Sequence, residues 1–320
     1  MRDVAAPVRV LYVAGNGRSG STLLDRILGQ LPGVASLGEV RFLWEFGHVR
    51  NNLCECGARF RECPFWTAVL ETAVGALTDE RAARLARESR RLLWTPGIAR
   101  LLGPLGTPAF RRMRDEHAEI AGQLYRAVAR RTGADWLVDS SKLASYALLL
   151  ARVPGLELHV VHLVRDSRAV AFSWQRKRLK PEVEGGRTYM PVRAPLLTAL
   201  RWDVHNLLDR SLAAVAKSYV RIRYEDLVLE PRKAIETIAS TAGLGPVDPD
   251  FALDGVVQVE RGHTVAGNPM RFKDGPVKLR LDDEWRASLP APSKALVSLL
   301  TLPQLLAYGY PLAQKEVVRG

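Results

Sequence analysis

The apolar, β-branched run Val8–Ala14 stops at Gly15, passes through Asn16-Gly17-Arg18-Ser19-Gly20-Ser21-Thr22, and gives way to Leu23, Leu24, Ile27, Leu28 and Leu31 at helical spacing. Strand, glycine-rich turn and helix in that order form a pocket for an anion, because successive backbone N–H groups and the positive end of the helix point at one place. Further apolar strand candidates are Trp136–Val138, His159–Val164 and Tyr219–Tyr224, each separated from the last by a long segment of helical pattern. Strands that alternate with helices predict an α/β protein whose parallel sheet is covered on both faces.

The segment 64–131 reads as almost wholly helical, with arginines on its polar side and breaks at Thr95-Pro96 and Gly103-Pro104. A second helical stretch runs from Ala194 to about Ala216, after a loop-like segment from Pro181 to Pro195. Without a linker-like stretch to divide it, the chain 1–320 is expected to be one domain, with 64–131 a helical insertion or lid within it. The 46 Lys+Arg against 34 Asp+Glu leave a net charge of +12, which calls for an anionic ligand. Nucleic acid is not expected, since the basic residues are scattered and form no tail, zinc-finger spacing or aromatic-interleaved repeat. The N-terminus lacks the pattern of an export signal, so a cytoplasmic location is expected. The uncharged stretch 295–313 contains Pro303, Gln304, Gly309 and Pro311, which fits buried helix ends better than a membrane span. Peripheral membrane contact stays open as a minor alternative.

A nucleoside-triphosphate loop reads G-x-x-x-x-G-K-S/T, but here Ser21 stands where the lysine belongs and the charge is on Arg18 inside the loop. A lysine reaches the β- and γ-phosphates beside magnesium, whereas the planar fork of an arginine suits a terminal oxyanion without metal help. That difference favours a phosphosulfate. The run Arg18-Ser-Gly-Ser-Thr-Leu-Leu24 after an apolar strand resembles the 5′-phosphosulfate-binding loop of carbohydrate and tyrosylprotein sulfotransferases, enzymes that use 3′-phosphoadenosine 5′-phosphosulfate (PAPS). The resemblance implies a P-loop-like three-layer α/β/α fold with a central parallel sheet and helical insertions. It also implies that Gly17, Arg18, Ser19, Gly20, Ser21 and Thr22 bind the donor.

In His162-Leu-Val-Arg-Asp-Ser-Arg-Ala-Val-Ala-Phe-Ser-Trp174, Arg165 closes an apolar strand and Ser173 follows about two helical turns later. Arg165 falls at the carboxyl edge of the sheet, where open parallel sheets bind ligands. The pair resembles the 3′-phosphate-binding segment of sulfotransferases. Apart from the family, Arg165 is equally a strand-end charge pairing with Asp166, and Ser173 a helix-surface residue. Two anionic sites in this order suit a donor with a phosphosulfate at one end and a ribose phosphate at the other.

Sulfuryl transfer needs a base for the acceptor hydroxyl and positive charge on the departing oxygen, and no metal. Sulfotransferases with a Gly-Glu pair after the first helix take their base from this region, which implicates Glu39 in Gly38-Glu39-Val40. The tyrosylprotein enzymes use the following residue, here Val40. Lys142 after the strand at Trp136 resembles the family's leaving-group stabiliser, acting with Arg18. Tyr224 in Tyr-Glu-Asp-Leu matches a tyrosine near the donor, and Arg271 in a late turn-rich loop matches a second 3′-phosphate contact. Without the family, Glu39 is equally a surface carboxylate paired to Arg41, Lys142 a first-turn residue behind a capping Asp139 or Ser140, and Tyr224 a strand-end packing residue.

All three cysteines, Cys54, Cys56 and Cys63, sit in one segment, so a disulfide-stapled secreted scaffold is not expected. Zinc, with His48 as fourth ligand, a local disulfide, and free thiols stay open. The expected acceptor is a small-molecule, glycan or lipid hydroxyl. The rival readings are a P-loop kinase or nucleotide triphosphatase using Asp139 for magnesium, and a non-catalytic polyanion-binding module.

Overall fold

The computed structural model describes residues 6–101, 105–177, 179, 189–249, 252–253 and 255–312. Five strands, β1 (Val8–Ala14), β2 (Val34–Ser36), β3 (Trp136–Lys142), β4 (Leu156–Val164) and β5 (Ser218–Arg223), form a sheet of order β2-β3-β1-β4-β5. Every neighbouring pair is parallel. The long apolar strands β1 and β4 take its centre because a central strand is buried on both faces, which their near-continuous hydrophobic runs permit.

Alternation along β1 divides the core. Val10, Tyr12 and Ala14 face one side, with Leu158 and Val160 of β4, whereas Leu11 and Val13 face the other, with Val161 and Leu163. The second face is covered by α1 (Ser21–Leu28) and later by α8 (Tyr224–Leu229) and α9 (Pro231–Ala242). The first is covered by the helical stretch between β2 and β3, made of α2 (Pro64–Val74), α3 (Asp79–Leu92) and α4 (Pro108–Thr132), and by α5 (Ala144–Leu150). Trp66, Val69, Leu85, Phe110 and Tyr125 of these helices belong to the same buried cluster as Val10 and Tyr12. The Tyr125 hydroxyl donates to Asp139 of β3. The 64–131 segment is thus a layer of the core in its inner face, and its Thr95-Pro96 break is a short 3-10 turn, Thr95–Leu101.

β3 runs longer than its apolar core suggests, continuing through Asp139-Ser140-Ser141 to Lys142, whereas β5 stops at Arg223, one residue short of the expected end, so that Tyr224 opens α8. α6 (Ser167–Gln175) follows β4, and α7 (Pro195–Ser211) carries the second helical stretch. The Gly103-Pro104 break and most of the loop from Pro181 lie outside the described residues. Three very short strands, β6 (Ala252–Leu253), β7 (Val256–Val259) and β8 (Gly275–Lys278), form an antiparallel sheet that the pattern does not announce, since none has the length for an alternation to register. The uncharged C-terminal stretch contributes to α11 (Ala291–Leu300) and α12 (Leu302–Ala307), after a one-turn α10 (Trp285–Ser288). It is only partly buried: Val297 and Leu305 are fully enclosed, but Leu299 is 71% and Leu306 56% exposed. Among the described residues no helix is long and apolar enough to cross a membrane.

Candidate functional site

The glycine-rich turn is shaped by what lies against it. A Cβ on Gly15 would sit 2.4 Å from the Leu163 carbonyl oxygen of β4, and one on Gly20, at φ +92°, would sit 2.4 Å from the Tyr224 ring. Only glycine fits either place. Arg18 itself has φ 75°, a left-handed conformation costly for a side chain of its size and enriched at functional sites. The turn is held by Trp174, whose Nε1 donates to the Gly17 carbonyl at 3.2 Å, and by Arg165, whose Nη1 donates to the Arg18 carbonyl at 3.0 Å. Helix α1 then begins at Ser21 with no side-chain cap at Gly20, leaving its first N–H groups directed into the turn.

One cavity of about 530 Å3 lies over this turn, at the carboxyl edge of the sheet. Its wall brings together Gly17, Arg18, Gly20, Ser21, Thr22, Glu39, Lys142, Arg165, Ser173 and Tyr224 from segments far apart in sequence. Ser19 is buried beneath the turn, outside the wall. The Arg18 guanidinium lies 4.9 Å from the centre of the Trp174 ring, and that of Arg165 lies 4.4 Å from the Tyr224 ring, so each cation rests against an aromatic face. Arg165 does not pair with Asp166. Its Nη2 meets Asp282 Oδ2 at 3.0 Å, while Asp166 caps α6 and pairs with Arg168.

Glu39 is buried, and its Oε1 accepts from Lys142 Nζ at 2.6 Å while Oε2 lies 3.6 Å from Arg41. The main chain fixes it: Glu39 N donates to the Val265 carbonyl at 2.7 Å, and Val265 N to the Leu37 carbonyl at 2.8 Å. Lys142 has φ 68°, so it is turned out of strand geometry at the end of β3, and its carbonyl accepts from Gly15 N at 3.4 Å. It is a strand-end residue; the following helix starts at Ala144 without a cap from Asp139 or Ser140. After Glu39 the chain forms a 3-10 turn, Val40–Phe42, and a π-helical turn, Leu43–Val49, which put the stacked rings of Phe42 and Phe46 in the cavity wall.

Two expectations are corrected. Arg271 does not reach the cavity: it is buried, Nη1 donating to the Thr264 carbonyl at 2.8 Å and Nη2 to the Leu53 carbonyl at 2.7 Å, so it ties two loops together. His48 is not beside the cysteines; its Nε2 lies 3.3 Å from Asp79 Oδ1. Asp139, the magnesium ligand of the kinase reading, is fully buried under Tyr125 and outside the cavity wall. Burial lifts its carboxyl to about 6 against the hydrogen bonds of Ser141 and Tyr125.

Sequence reasoning missed several cations that line the cavity. Lys273, Lys278 and Arg280 come from β8 and its flanks, and Arg41, Arg193 and Arg201 stand near His205. Burial first, then Arg201, Arg41 and Arg193, pushes the His205 imidazole down to about 4, so it is neutral at physiological pH. Lys278-Leu-Arg280 carries a weak signal, two cations on alternate residues, but not which face they share.

Asp25 of α1 lies fully buried, accepting from Ser36 Oγ of β2 at 2.5 Å, and burial, with a smaller push from Glu55, lifts its carboxyl to about 8 despite the Ser36 bond. The unfolded chain releases this proton near the ordinary carboxylate value while the folded chain holds it, so the folded state is progressively disfavoured as pH rises from about 4 through 8. Asp25→Asn removes that dependence. The fall in melting temperature between pH 5.5 and 8.5 is expected to be smaller in the variant than in the wild type, by thermal unfolding followed by circular dichroism. An equal fall in both would show that Asp25 ionises normally.

With an arginine-rich cavity at the carboxyl edge of a parallel sheet, the chain falls among the α/β proteins of the P-loop-like class. Comparison with known proteins narrows this: the profile of the sulfotransferase family matches residues 11–249, and the chain belongs to that family. Among solved structures, the sulfotransferase domain from the curacin biosynthetic pathway superposes with a TM-score of 0.51 at 20% identity, covering 95% of this chain and 99% of that one. It shows the same fold. The sulfotransferase domain of the Synechococcus PCC 7002 olefin synthase aligns at 21% identity over 97% of this chain and 98% of that one, with a TM-score of 0.46. A Mycobacterium avium sulfotransferase aligns at 13% identity over 97% and 79%, with a TM-score of 0.47. No curated protein sequence matches the chain.

Proposed function

We propose that the protein transfers a sulfuryl group from PAPS to an acceptor hydroxyl by in-line displacement. The observation that carries this reading is the single cavity in which the Arg18 turn, the Arg165–Ser173 pair and the Glu39–Lys142 ion pair face one another. The turn offers backbone N–H groups, Ser21, Thr22 and Arg18 to the 5′-phosphosulfate, and Arg165 with Ser173 offers a second anion site for the 3′-phosphate. Tyr224 stands under both.

In the transfer, the acceptor O–H gives its proton to a Glu39 oxygen as its own oxygen bonds to sulfur, and the bond from sulfur to the bridging oxygen of the 5′-phosphate breaks. The electron pair of that bond stays with the phosphate, so the products are a sulfate ester and adenosine 3′,5′-bisphosphate. Lys142 has three donors on one ammonium, which allows it to hold Glu39 and turn a proton toward the departing oxygen. The acceptor enters from the side of Phe42, Phe46, Arg41, Arg193 and Arg201, a wall of apolar rings and cations open to a small-molecule, glycan or lipid alcohol. The burial of Asp139 outside the cavity wall supports this reading over a kinase that would use it for magnesium.

Calorimetric titration tests the reading directly. Adenosine 3′,5′-bisphosphate is expected to bind tightly without added metal, and ATP with magnesium weakly. The reverse order would favour a kinase or nucleotide triphosphatase.

A further inference from the structure

Outside the cavity, the cysteine segment folds back on the loop between β7 and β8, and the four donor atoms of Cys54, Cys56, Cys63 and His263 lie within 4.8 Å of one another. Cys63 Sγ is 3.7 Å from Cys54 Sγ and 3.7 Å from Cys56 Sγ, and His263 Nδ1 is 3.3 Å from Cys63 Sγ and 3.8 Å from Cys54 Sγ. A disulfide needs its sulfurs about 2.05 Å apart, so no pair with Cys63 is bonded. A regular tetrahedron with metal–sulfur bonds of about 2.3 Å sets its sulfurs about 3.8 Å apart, and a nitrogen bonded at about 2.05 Å lies about 3.6 Å from each sulfur. The two sulfur–sulfur spacings of 3.7 Å lie close to the first value, and the nitrogen–sulfur spacings of 3.3 and 3.8 Å lie on either side of the second.

We propose that these four side chains bind one structural zinc ion. Three thiolates and one imidazole are a zinc donor set, and four protein donors complete the tetrahedron, leaving no position for a water or substrate. The surroundings hold the ligands in place. The His263 ring stacks on Phe65 with centroids 4.7 Å apart and an interplanar angle of 7°, and its carbonyl accepts from Trp66 Nε1 at 2.6 Å. Gly57, at φ +94°, turns the chain directly after Cys56, and Gly57 N donates to the Cys54 carbonyl at 2.9 Å. Between the two cysteines, Glu55 is buried, pairs with Arg26 of α1 at 3.1 Å and accepts from Thr264 N, next to His263, at 3.2 Å.

The position of the ion gives it a purpose. Thr264 and Val265 follow His263, and Val265 is the residue that hydrogen-bonds Glu39 and Leu37 through its main chain. Ala266, Gly267 and Asn268 then line the cavity. The zinc therefore clamps the loop that frames Glu39 to the segment just beyond it, without touching the reacting atoms. The sequence alone misplaces the fourth ligand because His263 is distant along the chain, whereas His48 is near in sequence but has its ring against Asp79.

The test uses the full chain purified without a histidine tag and without chelator. Elemental analysis is expected to find one zinc per chain. After exchange to cobalt(II), the protein is expected to show thiolate-to-cobalt charge transfer together with the visible absorption of tetrahedral cobalt. Cys56→Ser, at the half-exposed corner of the site, is expected to lower the zinc content at least tenfold after dialysis against a mild chelator, and Lys294→Ala to leave it at one. Wild-type protein without zinc, with iron in its place, or lighter by the two hydrogens of a disulfide would overturn the assignment. So would octahedral cobalt absorption. None of these readouts depends on sulfuryl transfer, so the zinc assignment and the proposed activity fail separately.

Discussion

Arg165→Ala is expected to weaken binding of adenosine 3′,5′-bisphosphate by at least about 100-fold in calorimetric titration, and Arg18→Ala by a similar factor. A charge-assisted hydrogen bond contributes about 1.5–3 kcal/mol, and a guanidinium facing a phosphate makes two. A loss of about 3 kcal/mol is already a factor of more than 100 in affinity. Arg165 adds a second effect, because its Nη1 also holds the Arg18 carbonyl and with it the left-handed turn. Arg165→Lys separates the two contributions. An ammonium restores one point charge but not the fork that reaches the Arg18 carbonyl and Asp282 together, so only part of the affinity is expected back. Unchanged binding in both alanine variants, with the fold intact by circular dichroism, would remove the two-anchor reading.

The second large effect is on the rate. Glu39→Gln is expected to bind adenosine 3′,5′-bisphosphate within about threefold of the wild type, while kcat falls by about 10²–10⁴, the range a positioned general base supplies. Glutamine keeps the shape and retains a carbonyl oxygen to accept from Lys142 Nζ, and the main-chain bond to Val265 is untouched. What it lacks is a site for the acceptor proton. Full activity in this variant would show that the base lies elsewhere, and His205, held neutral in the same cavity, would be the next residue to replace.

The two predictions probe features of unequal legibility. The Arg18 turn could be read because its geometry is local: a strand, a glycine-rich bend and a helix are adjacent in sequence, and the chemistry follows from their backbone. Glu39 and Lys142 were candidates only through resemblance, since neither carries a local signature, and their ion pair joins residues on β2's and β3's trailing ends. Asp282 against Arg165 and the cation Lys273 had no local signature, and Lys278 and Arg280 had only their alternation, which does not say which face they share. Arg271 shows the opposite failure. As a basic residue in a turn-rich loop it matched the expected phosphate contact, yet its guanidinium is spent on the carbonyls of Thr264 and Leu53.

By itself the sequence determined the alternation of strands and helices, the parallel sheet with two covered faces, and the glycine-rich turn between the first strand and helix, because hydrophobic period and glycine placement act over a few residues. Only the tertiary structure decided which charges share a cavity, which carboxylates are buried away from it, and which histidine completes the cysteine cluster. Those outcomes depend on loops that meet from β2, β3, β4 and β8, and a side chain's electrostatic and coordinating partners are set by distance in space, to which the order of residues along the chain gives no direct measure.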